Sequence, residues 1–281
     1  TRKCFVNGIR IKNVQHLSKK NGRNAIVFQA RTVGRSCVTA KKVVPVLTEV
    51  LRSGYYPDDS NRRIINEEYH QYIFIQEDRF KLLSGVARMN KGKSHFNGDN
   101  FLISRLECGK AIAAIADGMG SGKRAYIESR MVIELINSAY IAGGGTGNPV
   151  TMDMSVIDCQ SGYMHCMQLG AVSTFIRRDK WVEIIQSTTL PMGVLEQVDY
   201  DCTTKKLYDG DYIVMVSDGV LDNIPCVNKE ERMAQMIHAL TIREPSAMAE
   251  KLLEQSLAYN DMKASDDCTV LVLGLFDTYE K

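Results

Sequence analysis

Ala111-Ile112-Ala113-Ala114-Ile115-Ala116-Asp117-Gly118-Met119-Gly120-Ser121-Gly122 is an apolar run that stops at a carboxylate and a string of glycines. Six apolar residues bounded by a turn signal read as a buried strand. The residues after it, 123 to 141, carry apolar side chains at helical spacing, with Ile127, Met131, Leu135 and Ala139 in one row and Val132 and Ile136 widening it. The pattern predicts a long helix with that stripe buried. Between strand and helix stands Asp117, and a carboxylate at such a junction is costly without a partner.

Three more acidic points share this setting, each where a β-rich run begins or ends: Asp99 in Asn97-Gly98-Asp99-Asn100, Asp218 in Ser217-Asp218-Gly219, and Asp266-Asp267 before the run from Cys268 to Phe276. Alone, any Asp-Gly or Gly-Asp pair is best read as a turn. Asp209 and Asp211, flanking Gly210, are read that way, as structural hairpin residues. Four such points in one domain predict instead an oxygen-rich site. All-oxygen donors suit hard cations, Mg²⁺ or Mn²⁺, rather than zinc or copper. Two ions of that kind make hydroxide at neutral pH and neutralise phosphoryl oxygens. The expectation is a metal-dependent phosphatase with Asp117 and Asp218 central to catalysis.

Composition narrows the field. The chain has 281 residues, 44% of them hydrophobic, with 35 basic and 33 acidic residues and a formal charge of +2. No whole-chain field argues for nucleic acid. The eight cysteines contain no Cys-x-x-Cys pair and several lie in apolar runs, as reduced core residues do. Five scattered histidines argue against a nitrogen- and sulfur-ligated zinc. No apolar stretch reaches membrane-span length, and no signal-peptide pattern opens the chain, so it is expected to be cytoplasmic as given.

Read in order, the pieces suggest two units. Residues 1–76 give a strand at Asn24 to Thr32, a helix from about Ala40 to Leu51 capped by Thr39, with Val43, Val44, Leu47, Val50 and Leu51 on one face, a polar connector from Gly54 to Asn66, and a strand from Tyr69 to Ile75. This small α/β unit has no catalytic constellation and reads as a regulatory or docking appendage. From residue 77 the texture becomes strand, turn, strand, with four strands between Thr151 and Ile185 expected as one antiparallel meander and two helices, Lys229 to Leu240 and Ser246 to Tyr259, before the last strand. In the first of those four, Met152, Met154 and Val156 alternate with Asp153 and Ser155, as on a strand with two unlike faces. The class is α+β, antiparallel sheets with helices outside.

Two rival chemistries fit poorly. Gly118 to Gly122 follows a strand and opens a helix, as a nucleotide-binding loop would, but Lys123 replaces the last small residue and Asp117 would repel a pyrophosphate. Ser217 lies in no Gly-x-Ser-x-Gly elbow, so a serine hydrolase is unsupported.

At the same residues the sequence resembles the PPM (PP2C-like) serine/threonine phosphatases, and among them the stage II sporulation protein E phosphatases of endospore-forming bacteria. The matching stretches are Asn97 to Phe101, Ala116 to Gly122 with Ala125 and Glu128-Ser129, Met152 to Asp158, Leu190-Pro191-Met192-Gly193, Gly210-Asp211 with Met215 to Gly219, and Asp266 to Val270.

The resemblance implies a β-sandwich of two antiparallel sheets between helical layers and two Mn²⁺ or Mg²⁺ ions. Asp117 would bridge the ions, the Gly118 carbonyl would meet one, Asp218 and Asp266 would hold the other, and Asp99 would join through the cluster or its waters. Asp267 is a possible additional ligand.

It further implies a phosphoserine anti-sigma-factor antagonist as substrate, control of a sporulation sigma factor, homodimer formation, contacts with cell-division proteins through an upstream region, and a membrane-anchored parent. The helix bearing Ile127, Met131 and Leu135 would be a regulatory switch. One departure is plain: Gly143 to Pro149 leads almost directly to Thr151, where the family has a second long helix. A non-catalytic pseudophosphatase scaffold is the alternative to an enzyme.

Overall fold

The computed structural model describes residues 8–18, 24–92, 94–106, 109–118, 120, 122–142, 151–169, 172–179, 181–185 and 201–278. The Gly143 to Pro149 stretch and the Leu190 to Gly193 motif lie outside them. The chain falls into two compact units, the first chiefly the residues up to Arg79, the second those from Phe80 to Asp277.

In the first unit, β1 (Ile9–Ser18), β2 (Asn24–Thr32), β4 (Tyr55–Pro57) and β6 (His70–Gln76) form an antiparallel sheet in the order β1-β2-β6-β4, and β3 (Val38–Thr39) pairs with β5 (Ile64–Ile65). Phe28 and Phe74 stack at 5.4 Å in its core beside Tyr72, Val43 and Leu47. Three expectations need correction. Thr39 makes no cap hydrogen bond, because a 3₁₀ turn over Ala40–Val43 precedes helix α1 (Val44–Leu51), whose first turn holds Pro45. Val50 and Leu51 face solvent, since the helix stops at Arg52 in a left-handed conformation. The supposed connector from Gly54 to Asn66 contains β4 and β5, too short to show a period.

The second unit is a sandwich. One sheet orders β14 (Asp201–Lys206), β11 (Tyr163–Leu169), β10 (Thr151–Asp158), β9 (Lys110–Asp117) and β8 (Asp99–Arg105); the other orders β13 (Trp181–Ile185), β12 (Ser173–Arg178), β15 (Tyr212–Val216), β16 (Cys268–Asp277) and β7 (Phe80–Met89). Every pairing is antiparallel. Ile115, Ile157 and Met164 of the first sheet meet Ile176, Ile213 and Leu273 of the second in the inter-sheet core. Helix α2 (Lys123–Ala142) covers the outer face of the first sheet, over Ile112, Ala114 and Met154. Helices α3 (Asp218–Asp222), α4 (Lys229–Ala239) and α5 (Pro245–Leu257) cover the second. The alanines of β9 follow from burial on both faces, where small side chains let a helix and a second sheet come close.

Here too the structure departs from expectation. The four strands from Thr151 to Ile185 are not one meander: β10–β11 is a hairpin of the first sheet and β12–β13 a hairpin of the second. The unlike faces of β10 are both covered, and Asp153 and Ser155 are fully buried in the inter-sheet layer. The buried face of α2 is rotated from the expected stripe: Ala125, Ser129 and Ile136 point inward, whereas Ile127 is 45% and Met131 54% exposed and Leu135 only half-buried. Small residues face the sheet because the first turn of α2 lies directly on Gly118, where an added Cβ would fall 2.1 Å from the Ala125 carbonyl oxygen.

Candidate metal centre

The acids flagged in the sequence come from both sheets and gather at one end of the sandwich. Asp99 opens β8 and Asp117 closes β9, and the two are partners in register. In the second sheet, β15 runs out at Val216 opposite Val270, so Asp218 follows one strand as Asp266 and Asp267 precede its neighbour. Reciprocal bonds lock that junction: Ser217 N–H donates to the Thr269 carbonyl at 3.0 Å, and Thr269 N–H to Ser217 Oγ at 2.9 Å. Gly219 is required there, since a Cβ would stand 2.1 Å from the Asp267 carbonyl oxygen.

The acids are not alike. Asp267 accepts the Lys91 and Gly98 N–H groups, one on each oxygen and both at 2.8 Å, and so clamps the loop that leads into Asp99. Asp266 takes the Asp267 N–H at 2.9 Å and faces the Lys91 ammonium at 3.4 Å. Asp99 is fully buried, and neither of its oxygens has a hydrogen-bond partner. The Ser217 and Thr269 hydroxyls and the Asp117 carboxyl approach it and ease its ionisation without closing a bond of good geometry.

Burial is the main cause that pushes the Asp99 carboxyl up to about 6, with the charge of Asp218 adding to it. Burial first, then Asp218 and Asp99, pushes Asp117 up to about 9. Asp218 is raised by burial, with Asp222 and Asp266 adding, against a bond from the Gly219 N–H. Arg88, itself pulled down by burial, is held charged by Asp99 and Asp267, but its guanidinium donates to the Asp99 backbone carbonyl.

Side chains whose pairing no local sequence pattern shows hold this end together. Asn97 caps Asp99 N–H at 3.0 Å, and Asn100 donates at 2.8 Å to Ser129 Oγ, whose hydroxyl reaches the Gly98 carbonyl. Asn100 and Ser129 lie on different elements, so no local pattern could pair them. Ile127 and Met131 are not part of the cluster.

Among the described residues, no group of three or more His, Cys, Asp and Glu side chains stands ready to close around an ion as placed. What fits a divalent cation is the donor chemistry: converging carboxylates that raise one another's pKa, one of them buried without a partner, beside a glycine that lets backbone approach.

This two-sheet sandwich between helical layers is the PP2C-type phosphatase fold. It superposes on a structure of the PP2C phosphatase domain with a fragment of the regulatory domain of the cell fate determinant SpoIIE from Bacillus subtilis, with a TM-score of 0.75 and 24% identity over 99% of this chain and 87% of that one. The family model for Stage II sporulation protein E (SpoIIE) matches residues 133–276, just over half of the chain, which belongs to that family. Curated relatives include the Stage II sporulation protein E of Bacillus subtilis (strain 168), 26% identical over 95% of this chain and 34% of the relative, and that of Priestia megaterium, 28% identical over 84% and 43%. The chain thus spans under half the length of these relatives.

Proposed function

We propose that the chain is a metal-dependent protein phosphatase acting on phosphoserine. Asp117, the Gly118 carbonyl, Asp218 and Asp266 would hold two Mn²⁺ or Mg²⁺ ions, with Asp99 behind them, and Asp267 serves as the loop clamp rather than a ligand. Bound there, the ions would supply hydroxide at neutral pH and charge for the phosphoryl oxygens. The chain's own residues set the frame: Asp267 fixes the loop 91–98, Ser217 and Thr269 fix the β15–β16 exit, and Ser129 ties α2 to Gly98. Arg88 and Lys91 provide positive charge at the rim for an incoming phosphate.

The observation that carries this reading is Asp99, a fully buried carboxylate left without a partner beside two other acids of raised pKa. A non-catalytic scaffold has no use for that arrangement, which destabilises the chain until a cation arrives. Membership of the SpoIIE family supports an anti-sigma-factor antagonist as the phosphoserine substrate and activation of a sporulation sigma factor as the outcome. The test is phosphate release from the phosphorylated antagonist protein. Release that requires Mn²⁺ and stops with a chelator is expected; release that continues under chelation, or from phosphotyrosine only, sinks the reading.

The first unit, whose sequence carries no catalytic constellation, is assigned a regulatory or docking role. A chain beginning near Glu77 is expected to keep hydrolysis of a small aryl phosphate. Loss of that activity in a folded protein would place a catalytic contribution in residues 1–76.

A further inference from the structure

At the metal end of the second unit, large apolar side chains stand in water on three segments, each leading into or out of an acid of the cluster. Met89 ends β7 opposite Cys268, the residue after Asp267, and Phe96 lies in the loop that Asp267 clamps. Both are 39% exposed. Val227, fully exposed, is on the turn between α3, which begins at Asp218, and α4. Tyr259 and Met262, the latter 52% exposed, belong to the segment that runs from α5 to Asp266. Apolar residues scattered singly over a surface need no explanation, whereas a gathering of them marks a contact site.

These side chains are held where they are. Phe96 packs against Tyr126, in the first turn of α2, with ring centroids 5.6 Å apart, and the Ser94 hydroxyl accepts its N–H at 3.1 Å and donates to its carbonyl at 2.7 Å. The Tyr259 hydroxyl accepts two guanidinium bonds from Arg232, at 2.9 and 3.1 Å. Met262 has a φ of 60°, directly after Asp261 at 50°, a region that a long side chain enters only where its surroundings hold it there. Here Met262 N–H donates to the Leu257 carbonyl at 3.0 Å, Lys263 N–H to the Asn260 carbonyl at 2.8 Å, and Ser265 Oγ to the Asn223 side chain at 3.0 Å, which anchors the segment to the end of α3. Backbone strain is thus accepted to keep an apolar side chain in water a few residues before Asp266.

A phosphoserine carries its phosphate on a single methylene, so the backbone of any phosphoprotein turned over at Asp117 and Asp218 has to come down against this surface. The occupant is set by the site: it is the stretch of substrate on either side of the phosphoserine. Nearby charges offer such a stretch little, because Lys229 is already paired with Asp222 at 2.6 Å and Lys91 is turned to Asp266. We propose, on the phosphatase reading, that Met89, Phe96, Val227, Tyr259 and Met262 form an apolar lip that selects substrates by apolar side chains flanking the phosphoserine.

The full chain with Mn²⁺ would be titrated by fluorescence anisotropy with short labelled peptides that carry a non-hydrolysable phosphonate in place of phosphoserine, flanked on both sides by Leu, Glu or Gln. The phosphonate amino acid without flanks serves as a competitor. The Leu-flanked peptide is expected to bind at least about tenfold more tightly than the other two, the scale of burying one aliphatic side chain. Met262→Ser and Phe96→Ala are each expected to remove most of that preference, with the circular dichroism spectrum and the affinity for the flankless phosphonate unchanged. Met262 lies outside the clamped loop, so Met262→Ser is the decisive variant. Equal binding of the three peptides, tighter binding of the Glu-flanked one, no saturable binding up to millimolar peptide, or an undiminished preference in folded Met262→Ser would each overturn the lip. An apolar preference in a chain that releases no phosphate from any substrate with Mn²⁺ would support the lip and end the phosphatase reading instead.

Discussion

Asp99 and Asp211 are both aspartates withdrawn from water, 0% and 4% exposed, at opposite ends of the same sandwich. Asp211 has what a structural acid needs. Arg178 donates to it at 3.1 Å and the Tyr208 N–H at 2.9 Å, both on the same oxygen, although burial outweighs these and raises its pKa. Asp99 has neither cation nor amide on its carboxylate. Asp211 finds its counter-charge within the chain, and Asp99 is left wanting one. Asp153 stands between them: one oxygen accepts the Gln168 amide at 3.1 Å and the Thr174 hydroxyl, bridging the sheets, and the other is unpartnered.

The strongest test of the contrast lies at the unsatisfied end. Asp117→Asn or Asp218→Asn keeps shape and removes charge, and turnover at saturating Mn²⁺ should fall by at least about a thousandfold, roughly 4 kcal/mol of barrier. Near wild-type rates in both would remove these residues from the site.

The second effect is on stability. Burial raises the Asp153 pKa to about 6, so the folded chain holds that proton more tightly than the unfolded chain does. Its contribution is therefore greatest below the ordinary carboxylate range and is lost as pH rises from about 4 to 6, by up to about 3 kcal/mol. Denaturant titrations of wild type and Asp153→Asn should diverge across that window, with the variant gaining on wild type toward neutral pH. Parallel curves would mean the carboxyl ionises freely.

The third comparison pits the two ends directly. Asp211→Asn leaves Arg178 without its counter-charge and should lower stability by about 1–2 kcal/mol. In chelator, Asp99→Asn should raise stability by about 1–2 kcal/mol, because a buried uncompensated charge disappears. Denaturation midpoints that move in the same direction would end the distinction. The smallest effect is on α2: Met131→Leu, at an exposed position, should change stability by under about 0.5 kcal/mol. A several-fold shift in its Mn²⁺ requirement would be the mark of a switch helix; no shift would make α2 plain scaffold.

The acidic points could be read from sequence because each stood at the end of an apolar run, where a turn residue has little reason to recur four times. Their company could not. Asn100 and Ser129 meet only after β8 and α2 pack together. Asp153 looked like the polar face of a half-exposed strand, and alternation is the same whether that face meets water or a second sheet. The α2 stripe was misread because hydrophobicity ranks Ile127 and Met131 above Ala125 and Ser129, whereas the close approach at Gly118 admits only small side chains.

Strand β15 is buried at all five positions, so it has no polar face to say which residue belongs opposite which. A one-residue slip against β16 would still set apolar against apolar in the middle of the strand, so polarity there does not mark the register, although it would turn each side chain toward the other core. Alignment information therefore has to come from its two ends: Leu275 N–H on the Asp211 carbonyl at 2.9 Å at one, and the Ser217–Thr269 exchange at the other. The same two fasteners hold β15 in register with β16 in the folded sheet, and a slipped frame would deliver Ser217 or Gly219 to the place of Asp218.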